Sequence, residues 1–533
     1  MTPHQVHRAS VLTLAIAAFA IAITCMLLIA QATPWYRNTD MNMHNVVDAL
    51  ALNTDIAPNP FAQPATPLKA LLAVNYRVQH ALGWLPVANL DQLAATSDPV
   101  RALPPLVRAG CTQQTLLVLL TILAGAGLVY SLTREFDAAI MAIILLSGSA
   151  GLLFQGLLIR PELLCVALGN IGALWCATRA TRAKDASRRH LWIFAAGLLV
   201  GCSTLEKLPG LLFSLPCLAW CLLHPLKARG DVGRRDWTPI LPTVAGIGVL
   251  LLLHALMNSP GKLVDDAVNR LRFFAFAGAL LPLLRRPGLT TDWRAVVRGG
   301  IRDAAMLGGG ILLVLPLTYL LLRATLSPAN TLLYLTGVLN FLAAPTPYMA
   351  QLAPAENLGA EILRSLQDTP LLFAVGLALP VIAVVMRGAP RHLRLMSSLL
   401  VGVGIGFVLV LSRRHFSDQY SIFAQVPLLL ALPLAFSGLL RPGTGTCASG
   451  DRHWLIVPAL VAAFVLCLGV YIRLQPKHYY FQDDIRLPVS ELTLTFLFDH
   501  DAHPARYRQL MQDHYQDRVG FRRHLDHYLE DPR

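Results

Sequence analysis

"VLTLAIAAFAIAITCMLLIAQA" (residues 11–32) runs for twenty-two positions without a charged side chain. At 1.5 Å of rise per residue, a helix of this length crosses a hydrocarbon core about 30 Å thick. Its place near the N-terminus also suits the apolar part of a signal peptide. The run is long for that, and the "QATPW" around its end is a weak cleavage site, so it reads as a retained first helix.

Comparable blocks recur along the chain. Working outward gives thirteen spans: 11–32, 113–132, 138–159, 162–180, 191–206, 209–224, 239–257, 271–285, 305–323, 370–386, 395–412, 419–439 and 454–472. Mean hydropathy is +0.53, and only 14% of the 533 residues are charged, against roughly a quarter in soluble domains. The expected fold is an all-α polytopic membrane protein with about thirteen transmembrane helices.

The net charge of +13 is dispersed over short loops and accompanies no nucleic-acid-binding pattern, so no nucleic-acid partner is expected. Orientation explains it better. With the N-terminus inside, inner loops collect Arg179, Arg182, Lys184, Arg188 and Arg189, then Lys227, Arg229, Arg234 and Arg235, then Arg387, Arg391 and Arg394. Short outer turns hold far fewer cations, among them Arg160, Lys207, Arg413 and Arg414. That bias puts the N-terminus in the cytoplasm and the C-terminus outside an inner (plasma) membrane. Most of the nine cysteines lie in apolar runs and none forms a CxxC pair, so neither a disulfide framework nor a zinc site is indicated.

Residues 1–473 read as the transmembrane domain. Its outer side carries a first periplasmic loop, 33–111, and a second, 324–369; residues 474–533 form a small periplasmic C-terminal region. In the first loop, Val46, Val47 and Leu50 predict a short amphipathic helix over 41–52. After Pro67 a second follows, with Leu68, Leu71, Leu72, Asn75, Val78 and Leu82 near one face. Helices of this kind lie in the membrane interface and would roof the outer surface.

Under that roof the outer turns carry charge: Asp40, Arg160 and Glu162, Glu206 and Lys207, then Arg413 and Arg414. Ionisable groups at such depth mark a pathway or a site, although single charges at helix ends also snorkel cheaply. Cations suit a phosphate, and a carboxylate can take a proton from an attacking hydroxyl. Asp40 also suits a helix N-cap, worth about 1 kcal/mol. Asp48 and Asp55 read as solvated loop carboxylates. His44 shares a helix face with Asp40, which admits a metal or plain polar surface. No cofactor is demanded; a divalent cation is the one left open, with Asp40, His44 and Glu162 as its candidate ligands.

Four local patterns resemble the GT-C superfamily of polyprenyl-phosphate-sugar-dependent glycosyltransferases, in the branch of protein O-mannosyltransferases and the lipid A aminoarabinose transferase. Asp40 stands at the acidic position after the first span. Arg160-Pro161-Glu162 is similar to an Arg-Pro-Asp/Glu element at the second outer turn. "STLEKLPGLL" (203–212) resembles a "TKLTG" turn, with Lys207 as the basic residue. "HFSDQYSIFAQVPLLLAL" (415–432) resembles a late helix, with Tyr420 and Pro427 matching. Met41 replaces the family's second carboxylate, and Gln419 stands where Arg is common.

The resemblance implies an inverting integral membrane glycosyltransferase. It would move a sugar from a polyprenyl-phosphate donor to an acceptor hydroxyl on the periplasmic side, the acceptor being a glycolipid, polysaccharide or protein. Asp40 and Glu162 would be catalytic, with Lys207, Arg413, Arg414 and Arg160 on the donor phosphate. Three other classes compete: a polysaccharide polymerase or ligase, a lipid-linked-sugar transporter, and a non-catalytic assembly protein of the same fold.

Overall fold

A computed structural model describes residues 3–32, 42–58, 65–97, 99–223, 293–343, 390–411 and 418–440, with the isolated positions 461 and 465. Among the described residues the chain is all-helical. The expected spans 239–257, 271–285 and 370–386, the span 454–472 apart from those two positions, the region 474–533, and the candidate residues Asp40, Arg413 and Arg414 lie outside them.

Helix α1 (Pro3–Ala32) is the opening apolar run. Helices α2 (Asn42–Leu52), α3 (Thr66–Ala81) and the short α4 (Leu90–Ala94) follow, then the long α5 (Pro99–Thr133). Next come α6 (Phe136–Ser147) and α7 (Ala150–Leu157), then α8 (Pro161–Val166) running through a π-helical turn into α9 (Ala173–Arg182). After α10 (Ala186–Glu206), a 3-10 turn over Leu208–Phe213 leads into α11 (Ser214–Leu223). The remaining helices are α12 (Trp293–Leu322), α13 (Pro328–Ala343), α14 (Arg391–Leu411) and α15 (Asp418–Leu440). Among the described residues five helices are long and apolar enough to cross a membrane, or six if the bent α6–α7 pair is one span. The chain is membrane-embedded.

Inside the bundle, close approach is arranged by small residues, as hydrocarbon-facing helices require. A Cβ on Gly197 of α10 would collide with the Leu307 carbonyl of α12, and one on Gly310 with the Phe194 carbonyl of α10. Arg189 closes one end of this pair, its Nη2 2.5 Å from Asp303 Oδ2.

Helices α6 and α7 bend by 58° at Gly148–Ser149, which frees backbone donors in apolar surroundings. Such breaks need internal partners. Gln425 of α15 supplies them: its Oε1 accepts from Ser149 Oγ at 2.6 Å and from the Gly151 N–H at 2.9 Å.

Helices α2–α4 and the start of α5 pack together as a roof on one end of the bundle. Val46, Leu50, Leu68, Leu72, Tyr76, Leu90 and Leu106 share a core with Ile159 of the bundle and Tyr334 of α13. Each such side chain contributes about 1.5–3 kcal/mol. The loop 324–369 supplies α13, tied down by Tyr334 Oη donating to the Asp48 carbonyl (3.0 Å) and Thr66 Oγ1 donating to the Tyr334 carbonyl (2.8 Å).

Two expectations need correction here. Helix α3 has two apolar faces, and the packed one differs from that predicted. Leu68, Lys69, Leu72, Ala73 and Tyr76 are buried, whereas Leu71, Val78 and Leu82, with Val74 and Trp84, face outward. Asp48, expected in solvent, is fully buried because Lys69 on the packed face of α3 reaches it. Asp55 is held on the rim, its Oδ1 accepting from the Ser327 N–H at 2.6 Å and from Asn330 Nδ2 at 3.1 Å.

Candidate active site at the bundle rim

Proline placement builds the first half of the site. Pro161 restricts the residue before it to extended backbone, and Arg160 adopts φ −134°, ψ 148°. Pro161 then opens α8, where its missing N–H costs nothing, so Glu162 falls in the first turn, where the helix dipole favours a carboxylate. The second half comes from "LEKLPG" (205–210). Helix α10 ends at Glu206, Lys207 is extended (φ −158°, ψ 135°), and a 3-10 turn begins at Leu208. Gly210 is required in that turn, since a Cβ there would sit 2.5 Å from the Ser203 carbonyl oxygen.

These turns bring Arg160, Glu162 and Lys207 together, with only 1%, 0% and 6% of their surfaces exposed. Arg160 donates to Glu162 from Nε (3.2 Å to Oε2) and Nη2 (3.4 Å to Oε1). Lys207 Nζ pairs with Oε1 of the same carboxylate. Tyr420, at the start of α15, lies beneath both cations, its ring centroid 4.2 Å from Lys207 Nζ and 6.0 Å from Arg160 Cζ. That distance for Lys207 is cation–π contact.

The roof is fastened to this turn. Asn45 Nδ2 donates to the Ile159 carbonyl (2.7 Å), and Gln114 Nε2 to that of Arg160 (3.2 Å). The Ala65 N–H, before α3, donates to the Glu206 carbonyl at 3.2 Å. Above the turn, Lys69 Nζ lies 2.7 Å from Asp48 Oδ2, both buried. His44 faces this pair; burial pushes its imidazole below its usual pKa, Asp48 opposing and Lys69 reinforcing the shift.

Of the residues expected at the site, the structure therefore gathers Arg160, Glu162 and Lys207 with Tyr420, while Asp40, Arg413 and Arg414 lie outside the described residues. His44 sits in the roof. The divalent-cation expectation fits the described residues poorly, because Arg160 and Lys207 take up both Glu162 oxygens. No group of three His, Cys, Asp or Glu side chains among the described residues is placed to hold a metal ion. Sequence alone does not single out the Lys69–Asp48 pair, although Lys69 shares the packed α3 stripe with Leu68, Leu72 and Tyr76. Glu206 stands out there only as a charge beside Lys207.

Chemically, the turn is two cations sharing one carboxylate in a water-poor setting, which leaves one positive charge in excess. A guanidinium fork and an ammonium in such a setting suit a phosphate-like anion, whose lost hydration their charge-assisted hydrogen bonds would replace.

No family model matches the chain, and no curated protein matches it. Among solved structures, the archaeal oligosaccharyltransferase AglB from Archaeoglobus fulgidus, in complex with an inhibitory peptide and a dolichol-phosphate, is similar over 95% of this chain and 59% of its own, at 14% identity and TM-score 0.49. The apo form of the Archaeoglobus fulgidus oligosaccharyltransferase matches over 94% and 59%, at 15% identity and TM-score 0.46. ArnT from Cupriavidus metallidurans, in the apo state, matches over 74% and 75%, at 16% identity and TM-score 0.19. The chain thus spans 59% of the length of the oligosaccharyltransferase chains. These neighbours are GT-C superfamily glycosyltransferases. They are distant likenesses, and the residue roles proposed for this chain rest on the rim geometry.

Proposed function

We propose that the chain is an integral membrane glycosyltransferase that takes a sugar from a lipid-linked phosphate donor and passes it to an acceptor hydroxyl on the periplasmic side. One observation carries this reading: Arg160, Glu162 and Lys207 form a buried, roofed cluster over Tyr420 at the bundle rim. Arg160 and Lys207 bind the donor phosphate, joined by Arg413 and Arg414. Glu162 holds the two cations in register rather than acting as a free base.

In this scheme Asp40 is the base. As the C1–O bond to the phosphate breaks, its electron pair goes to the phosphate oxygen and that charge falls on Lys207 and Arg160. The acceptor oxygen bonds to C1 from the opposite face, inverting it, and its proton passes to Asp40. Preorganised cations at a developing charge commonly supply the largest share of catalysis. Asp40 lies a short step along the chain from Asn45, which is anchored beside Arg160. Thirteen spans in an inner membrane, with the N-terminus inside and the C-terminus outside, complete the proposal.

The bent α6–α7 pair favours a second reading, a lipid-linked-sugar transporter, since such proteins use broken helices. Asp40→Asn separates the two. The glycosyltransferase reading expects transfer to fall by at least about 100-fold, the low end of general-base contributions, with donor binding and folding retained. Unchanged transfer by Asp40→Asn membranes would rule Asp40 out as the base, and loss of lipid translocation in place of transfer would favour the transporter.

A further inference from the structure

Glu206 ends α10 with none of its surface exposed, and neither carboxylate oxygen completes a hydrogen bond. Its acidic neighbours differ: Asp48 is ion-paired with Lys69, and Glu162 with both Arg160 and Lys207. The side chain lies against the first turn of α3, where the Leu68 N–H faces it short of good hydrogen-bond geometry.

The titratable groups facing Glu206 come from three elements. They are Lys69 on α3, Glu162 and Cys165 on α8, and Cys202 on α10 itself. Lys69 is the cation among them, and its ammonium is 2.7 Å from Asp48; Glu162 repels a second negative charge. An ionised carboxylate enclosed with no donor better than one poorly aligned N–H is so unfavourable that such groups take up a proton instead. The enclosure is too tight for a larger ligand, with each oxygen below 1 Å² of exposure.

Charge counting gives the protonation a purpose. Among the described residues the buried rim holds three cations, Lys69, Arg160 and Lys207, and two paired anions, Asp48 and Glu162. Over these described residues the balance is three minus two, one net positive charge, with Glu206 neutral and one charge lower with Glu206 ionised.

We propose that Glu206 is held as a neutral carboxylic acid, a positioning residue whose protonation keeps the group of Lys69, Arg160 and Lys207 one charge more positive than ionisation would, which favours an anionic lipid phosphodiester. The phosphodiester half of this inference rests on the glycosyltransferase reading; the neutral acid does not. Deprotonation at high pH adds a negative charge beside the cations and weakens binding of the anion. The substitution Glu206→Gln mimics the neutral acid without its titration.

The test uses the full chain in lipid nanodiscs. Infrared difference spectra of wild type against Glu206→Gln at neutral pH read protonation with no donor present. The expected result is a protonated-carboxyl C=O stretch in wild type that the variant lacks; a carboxylate band in its place overturns the proposal. The second arm titrates binding of dihexadecyl phosphate, whose single charge does not change with pH. Wild-type affinity is expected to fall with rising pH by up to about tenfold per unit above the Glu206 midpoint, while Glu206→Gln holds its affinity over the same range. Identical pH profiles, or a folded Glu206→Gln protein that binds at no pH, overturn it. Because the infrared arm needs no donor, its result holds even if the glycosyltransferase reading fails.

Discussion

Lys69 and Asp48 show what a buried charge does in this protein. Taking both out of water costs about as much as their attraction returns, whereas removing one partner strands the other at about 3–5 kcal/mol. Lys69→Met is therefore expected to lower unfolding stability in detergent by about that amount, and Asp48→Asn with Lys69→Met to recover most of it. A double variant no more stable than Lys69→Met would show that packing, not charge, holds α2 to α3. At this scale the sequence is legible where charge and proline sit together. Arg160-Pro161-Glu162 and Lys207 stand out as ions at the ends of apolar runs. Asp48 and Lys69 do not, because each falls in an ordinary loop helix and their meeting depends on how α2 packs on α3. Glu206 is legible as a charge, but its lack of partners exists only in three dimensions.

Helices are readable from sequence wherever hydrocarbon dictates them. The runs 11–32, 395–412 and 419–439 match α1, α14 and α15 to within a turn, apart from the polar first turns of α1. Helix α5 begins far ahead of the expected 113, at Pro99, because Leu103, Leu106 and Val107 pack into the roof and continue the helix through Pro104 and Pro105. Helix α3 misleads for the opposite reason: both its sides are apolar, so periodicity alone does not choose between them. The contact of α10 with α12 rests on glycine. Gly197→Leu is expected to destabilise by at least about 1–3 kcal/mol through overpacking, lowering the melting temperature, while the substitution Gly299→Ala, at a position with open space around it, leaves it nearly unchanged. Equal melting of both variants with wild type would mean that this close approach is not formed.

For the whole molecule, the membrane supplies one constraint and the roof another. Apolar spans leave a polar rim as the place where charge collects, and α2–α5 with α13 cover that rim and exclude water from it. Covering raises the strength of every charge beneath it, which is why a few residues suffice for a site. Composition and loop charge make the class of protein readable; they carry no information on which sugar or acceptor is used. The most direct measurement is comparative mass spectrometry of envelope glycolipids, polysaccharides and glycoproteins from cells making the wild-type chain, the Lys207→Met variant or neither. Our account expects one defined sugar mass present with wild type and lost, or cut at least about tenfold, both in cells lacking the chain and in cells with Lys207→Met at matched protein levels. Identical profiles from all three, with the wild-type chain folded in the membrane, would contradict it.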